Sequence, residues 1–255
     1  MFIHSISSPK RIISLVPSIT ELLHFLQLEA ETIAITKFCV HPPTWFKNKT
    51  RIGGTKNINV EKVISLTPDL ILCNKEENVQ AQIETLAATL PVYICDVKTY
   101  DDALQMIKEI GILTSKEMEA TELIKNIGVA FEQTKISSSK KIKTAYLIWK
   151  EPYITVGGDT FISAMMEKAG LENIYKQENR YPTKTISEIQ NDKPELILLS
   201  SEPYPFKEKH IVELKEYFPN TIIKLVDGEM FSWYGSRMLY AAPYFKELHE
   251  QCQTP

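Results

Sequence analysis

Asn59-Val-Glu-Lys-Val-Ile-Ser-Leu-Thr-Pro-Asp-Leu-Ile-Leu72 and Thr185-Ile-Ser-Glu-Ile-Gln-Asn-Asp-Lys-Pro-Glu-Leu-Ile-Leu198 are two copies of one short unit. Each opens with an amphipathic turn or two of helix, passes a Pro-acid pair, and ends in branched apolar residues that predict a buried strand. An echo at a fixed position predicts two related lobes rather than one continuous core. A cleft between two lobes is where a small ligand is expected.

Outward from the first copy, strands and helices alternate. Lys10 to Val16 reads as a strand stopped by Pro17, and Ser18 or Thr20 is expected to cap a helix with the stripe Leu22, Leu23, Phe25 and Leu26. Thr32 to Thr36 predicts a second strand, followed by the segment Lys37-Phe-Cys-Val-His-Pro-Pro43. Gln80 to Thr89 reads as helix and Pro91 to Asp96 as strand. From Ser115 to Lys135 there is no proline and one glycine, Gly128, which predicts a helix of about 20 residues, some 30 Å long. The polar patch Ser137-Ser-Ser-Lys-Lys141 is expected to end it. The pattern then restarts: strand at Lys143 to Trp149, a turn at Gly157-Gly158, helix from Thr160 to Ala169, then strands at Leu196 to Ser200 and Thr221 to Val226. The expected organisation is an α/β protein of two lobes, mostly parallel sheets flanked by helices. The N-terminal lobe is 1–114, the connecting helix 115–136 and the C-terminal lobe 137–255.

Composition excludes several classes. With 44% hydrophobic and 24% charged residues the chain is of ordinary globular make-up. A formal charge of -3 without a long basic run gives no footprint for nucleic acid. No stretch is apolar for long enough to span a bilayer. The opening Met1-Phe-Ile-His-Ser-Ile-Ser-Ser-Pro-Lys10 does not read as a secretory signal. Cys39, Cys73, Cys95 and Cys252 are too far apart for a zinc knuckle or a CxxC pair, and free thiols are expected.

Three stretches, Pro17-Ser-Ile-Thr-Glu-Leu22, Asn59 to Asp69 of the first copy and Ala169-Gly-Leu-Glu-Asn-Ile-Tyr175, carry a family resemblance through their order and spacing. The chain resembles the periplasmic receptors that deliver metal chelates to ABC importers, and within them the cobalamin-binding branch. The resemblance implies lobes joined by one long rigid helix, ligand held in the cleft and little closure on binding. It also implies the membrane subunits of an importer as partner, a monomer, and a periplasmic or cell-envelope location, with a cytoplasmic one as the alternative. No intrinsic cofactor is implied; the ligand expected is a cobalt corrinoid, alternatively haem or a ferric siderophore.

Candidate ligand contacts fall in two groups. Phe38, Cys39 and His41 follow the second strand, at the carboxyl end where ligands of open parallel sheets bind. Cys39 and His41 have the donor atoms to ligate cobalt or iron, although an ordinary core thiol and a backbone-bonded imidazole are the simpler expectation. The second group is Trp149, Tyr153, Tyr181, Phe231, Trp233 and Arg237: aromatic faces for a flat macrocycle and a directed donor. Phe231, Trp233 and Tyr234 are too closely spaced for all to point inward, so at least one is expected in the core. The resemblance also implies one surface acid per lobe that docks on the transporter, at Glu61 and, displaced by one position, Glu188. Two other readings use the same residues: an intracellular chelate carrier or sensor, and an enzyme with Cys39 as nucleophile and His41 as base, which lacks a third orienting acid.

Overall fold

The computed structural model describes residues 8–136 and 141–253; the opening segment 1–7 and most of the polar patch expected to end the long helix lie outside them. Two compact units account for the chain. The first comprises the residues up to Val97 with Asp101–Asn126 and Trp233–Arg237; the second comprises Lys98–Tyr100, Ile127–Ser232 and the residues from Met238.

The first unit is built from β1 (Ile12–Ser14), α1 (Pro17–Phe25), β2 (Thr32–Ile35), α2 (Pro43–Asn48), β3 (Thr50–Arg51), α3 (Val60–Ser65), β4 (Leu70–Asn74), α4 (Gln80–Ala87), β5 (Val92–Cys95) and most of α5 (Tyr100–Leu113). Its five strands run parallel in the order β3-β2-β1-β4-β5. Both faces of the central strands are buried, as parallel sheets require. Ile13, Ile71 and Cys73 pack with Val63 of α3 and with Ile83 and Leu86 of α4, while the alternate residues Ile12, Leu70 and Leu72 are equally inaccessible.

Helix α6 (Glu117–Gln133) carries the chain into the second unit. There follow β6 (Ile142–Leu147), β7 (Tyr153–Ile154), α7 (Phe161–Lys168), β8 (Leu171–Asn173), β9 (Thr183–Lys184), α8 (Ile186–Asp192), β10 (Leu196–Ser200), α9 (Glu208–Tyr217), β11 (Ile222–Val226), α10 (Gly228–Ser232) and α11 (Met238–Gln253). Four strands are parallel in the order β11-β10-β6-β8, and β7 and β9 form a separate antiparallel pair.

The two sheets share one topology. In each, the first strand is followed outward by the next, and the chain then crosses to pair a later strand on the other side. The crossings lie between β1 and β4 and between β6 and β10. The repeated sequence unit supplies that crossing strand both times: α3 leads into β4 and α8 into β10, with Leu70 opposite Ile12 and Leu196 opposite Thr144.

The Pro-acid pair explains why the register is the same. Asp69 accepts hydrogen bonds from the backbone N–H groups of Lys10 (2.7 Å) and Arg11 (2.8 Å), while its own N–H donates to the Arg11 carbonyl (3.0 Å). Glu195 accepts from the N–H of Lys143 (3.0 Å) and donates to its carbonyl (2.8 Å). Each acid therefore clamps the start of the first strand to the start of the crossing strand. Asp69→Ala is expected to cost about 1–2 kcal/mol, because it removes two charge-assisted bonds near solvent. Glu195→Ala, which removes one, should cost less. Denaturant melts test this, and an Asp69→Ala protein as stable as its parent rules out the clamp.

Three expectations are corrected. Helix α1 has Val16 at its N-cap without a side-chain bond and Pro17 in its first turn, so neither Ser18 nor Thr20 caps it. Thr20 turns inward instead, its hydroxyl 2.8 Å from Ser14 Oγ. The long helix starts at Glu117, because Ser115 takes a left-handed conformation (φ 57°) that ends the preceding turn. Segment 233–237, expected in the C-terminal lobe, packs with the first unit.

Among the described residues, no helix is long and apolar enough to cross a membrane.

Candidate functional site

The carboxyl ends of β1, β2 and β4 form one edge of the first sheet, and the order of strands reverses there. In open parallel sheets this is where ligands sit. The edge is built by amide groups. Asn78 accepts from the Asn74 N–H (2.9 Å) and donates to the carbonyls of Leu15 (3.3 Å) and Thr55 (3.1 Å). Asn74 Oδ1 accepts from the N–H groups of Glu76 and Glu77. The loop after β4 is therefore pinned to the end of β1 and holds Glu77 in place.

Trp233–Arg237 packs on this edge. Trp233 meets His41 edge-on (5.4 Å between centroids), and the Tyr234 hydroxyl donates to Glu77 (3.4 Å). Burial pushes the Tyr234 phenol well above its ordinary pKa, which keeps it a donor. Gly235 has φ 100°, a conformation suited to glycine, and lies against Ser18 and Leu22 of α1. Arg237 donates from Nε (3.0 Å) and Nη2 (2.7 Å) to the two carboxylate oxygens of Glu21 on α1. Its guanidinium also lies 5.1 Å from the Trp233 ring centre.

Of the three residues after β2, Phe38 is 51% exposed with Lys37 over its ring, and His41 is half-buried. Cys39 is inaccessible. Its sulfur lies 3.0 Å from Thr20 Oγ1 and 3.2 Å from Thr36 Oγ1, and burial raises its pKa despite these bonds. A buried, protonated thiol is neither a ready nucleophile nor a ready metal ligand, so Cys39 is corrected to a core residue. The other cysteines are also free and buried, with Cys73 and Cys95 pushed up to about 12 by desolvation. Among the described residues, no group of three or more His, Cys, Asp or Glu is placed to hold a metal ion.

In the second unit the corresponding carboxyl edge carries Trp149, immediately beyond β6. Its ring is 40% exposed and edge-on to Tyr204 (5.7 Å). Tyr181, before β9, is 37% exposed beneath the guanidinium of Arg180. Tyr153, on β7, is half-buried against the core. Phe231 is a correction: it is wholly inaccessible, packed on Tyr146 (5.0 Å) and Phe245 (4.6 Å) in the core. Helix α10 ends between Phe231 and Trp233, which sends the two aromatic rings into different units.

The two acids also part ways. Glu61 lies exposed in the first turn of α3. Glu188 closes a capping box on α8, accepting from the N–H and hydroxyl of Thr185 (both 2.7 Å), and these bonds hold its carboxyl below the usual range. A carboxylate spent on its own helix is poorly placed to pair with a partner's arginine. Glu21 and Glu77, missed by the sequence reading, are the acids that the first edge uses.

The chain is 25% identical to the vitamin B12-binding protein of Pectobacterium carotovorum over 243 residues, 92% of this chain and 86% of the relative. It is 28% identical over 201 residues to an uncharacterized ABC transporter substrate-binding lipoprotein of Bacillus subtilis, 74% of this chain and 63% of that one. Among solved structures it superposes on the periplasmic vitamin B12 binding protein BtuF of Vibrio cholerae with a TM-score of 0.83 at 20% identity, covering 97% of this chain and 99% of the other. It also superposes on the periplasmic haem-binding protein RhuT of Roseiflexus with a TM-score of 0.84 at 17% identity, covering 97% and 100%. The periplasmic binding protein family model matches residues 12–217, so the chain belongs to that family.

Proposed function

We propose that this protein is the substrate-binding component of an ABC importer and that its ligand is a corrinoid or a closely related metal chelate. The observation that carries the reading is the alignment, over nearly the whole chain, with relatives named for binding vitamin B12. The exposed rings of Phe38 and Trp149 at carboxyl edges of parallel sheets, and of Tyr181 just before the antiparallel strand β9, support it, since a flat macrocycle is bound by aromatic faces. Trp233 and Arg237 add a ring and a donor to the first of these edges. Glu61 is the acid offered to the importer's membrane subunits. No catalytic step is required, and the buried Cys39 supplies none.

A visible-absorption titration with cobalamin, cobinamide, haem and a ferric siderophore tests the reading. A corrinoid is expected to bind with a Kd below about 1 µM, equivalent to roughly -8 kcal/mol or tighter. Cys39→Ala should retain that affinity, which also disposes of the enzyme reading. If none of the four ligands reaches the micromolar range, the proposal fails.

A further inference from the structure

Tyr204 stands where the chain passes from β10 to α9, and its ring meets Trp149 edge-on at 5.7 Å. Prolines on both sides, Pro203 and Pro205, restrict the backbone there. The Tyr204 N–H donates to the Ile148 carbonyl, one residue before Trp149 (3.3 Å). The ring itself is fixed by His210, in the first turn of α9 and only 4% exposed. His210 Nδ1 accepts from the Lys207 N–H (2.8 Å), and Nε2 lies 3.3 Å from the Tyr204 hydroxyl. An imidazole that accepts at Nδ1 carries its proton on Nε2, so it donates to the Tyr204 oxygen. The rings of Tyr204 and Phe206 close on it edge-on at 5.5 and 5.4 Å. Neutral His210 therefore ties the start of α9 to the ring that supports Trp149. A proton on Nδ1 would face the Lys207 N–H, donor against donor, and break that tie.

We infer that His210 is a positioning residue for the ligand: in its neutral form it holds Tyr204 against Trp149 and so fixes how the Trp149 ring is presented. The inference rests on the receptor reading above. The surrounding charges favour the neutral form. Lys150, next to Trp149, donates to both carboxylate oxygens of Glu213 (2.7 Å each) and lies 3.7 Å from Glu151. Burial first, then the cations of Lys150 and Lys209, hold the His210 pKa below its ordinary value against the pull of Glu213. The Tyr153 phenol, which feels Glu213, Lys150 and Glu151, is pushed up chiefly by burial and stays protonated. Support for Trp149 is thus complete above about pH 6.5, the ordinary histidine value, and is lost as pH falls below it. A ring freed in this way must be ordered again when ligand arrives, which weakens binding.

The test is a visible-absorption titration with cobalamin between about pH 8 and pH 4.5, a range that brackets histidine ionisation. It compares the parent protein, His210→Ala, His210→Gln and Tyr204→Phe. At neutral pH His210→Ala should bind about tenfold more weakly, the scale of a lost buried hydrogen bond. Glutamine can accept from the Lys207 N–H as in a capping box and donate to Tyr204, so His210→Gln should recover most of that affinity. Glutamine does not titrate, so this variant should keep its affinity in acid, where the parent loses about tenfold. Tyr204→Phe keeps the ring without the hydroxyl and should blunt the acid step. Thermal melts check that each variant is folded. A purely structural His210 would move the melts with pH and leave the Kd of the folded protein alone. Parent and His210→Gln profiles that superpose within about twofold, or a His210→Ala protein as tight as the parent at neutral pH, overturn the inference and leave the receptor reading standing. If the parent does not bind cobalamin at neutral pH, the corrinoid reading falls and takes the inference with it.

Discussion

Phe231→Ala is expected to remove about 3–5 kcal/mol of stability. The ring is wholly buried and stands among Tyr146 (5.0 Å), Phe245 (4.6 Å) and Tyr244 (6.4 Å), and Phe245 passes the contact on to Phe131 at 6.3 Å. Truncation loses the transfer free energy of the ring and opens a cavity. Tyr146 and Phe245, themselves fully buried, cannot swing in to fill it without leaving their own rotamers. The Tyr146 hydroxyl, 3.3 Å from Ser200 Oγ, would be displaced by any such collapse. Equilibrium denaturation measures the loss. A ring that served the ligand would behave in the opposite way, with affinity falling and stability nearly unchanged. That second outcome would return Phe231 to the binding surface.

The next largest effect is expected at Gly111, on the buried side of α5. A Cβ added there would come within 3.0 Å of the Ala120 Cβ on α6, closer than real side-chain carbons approach. The obstacle is a Cβ fixed to a helix backbone, so no rotamer change relieves it and the helices must separate. Gly111→Ala should therefore cost about 1–3 kcal/mol by overpacking, even though alanine is the better helix former. Ala120→Gly removes the opposing carbon, and the double variant should recover most of the loss beyond the helix-propensity cost of the new glycine. Additive losses in the double-mutant cycle would show that the two positions do not meet in this way.

The fold was legible where an apolar run could mean only one thing. Leu70-Ile-Leu72 and Leu196-Ile-Leu198 lie where strands buried on both faces must lie, and the repeat alone puts them at equivalent positions. Helix α5 was also there to be read, in the helical spacing of Ala103, Met106, Ile107 and Ile110 behind Asp101 and Asp102. The pair β7 and β9 was not, since two residues per strand carry no period. At the site, residue types were legible but partnerships were not. Glu21 stands in one of the stretches that signalled the family, yet nothing local says that its carboxylate meets an arginine 216 positions away. Cys39 and His41 share a spacing that suits metal ligation. The depth that buries the first and not the second comes from Thr20 and Thr36 closing around the sulfur. The acid of each Pro-acid pair reads as surface charge until the backbone N–H groups that it clamps are brought beside it.

The first unit is not a continuous stretch of gene. Trp233-Tyr-Gly-Ser-Arg237 is encoded among the elements of the second unit, yet it lies on α1 and the loop after β4. A fragment cut within α6 would take every strand of the first sheet and leave behind the partner of Glu21. Dissection of this protein, or fusion of its halves to reporters, should therefore supply that pentapeptide in trans or graft it onto the fragment. The same arrangement provides a ready peptide-complementation assay: the isolated half, which holds Trp45, should report the added segment through the change in fluorescence that the second tryptophan, Trp233, brings.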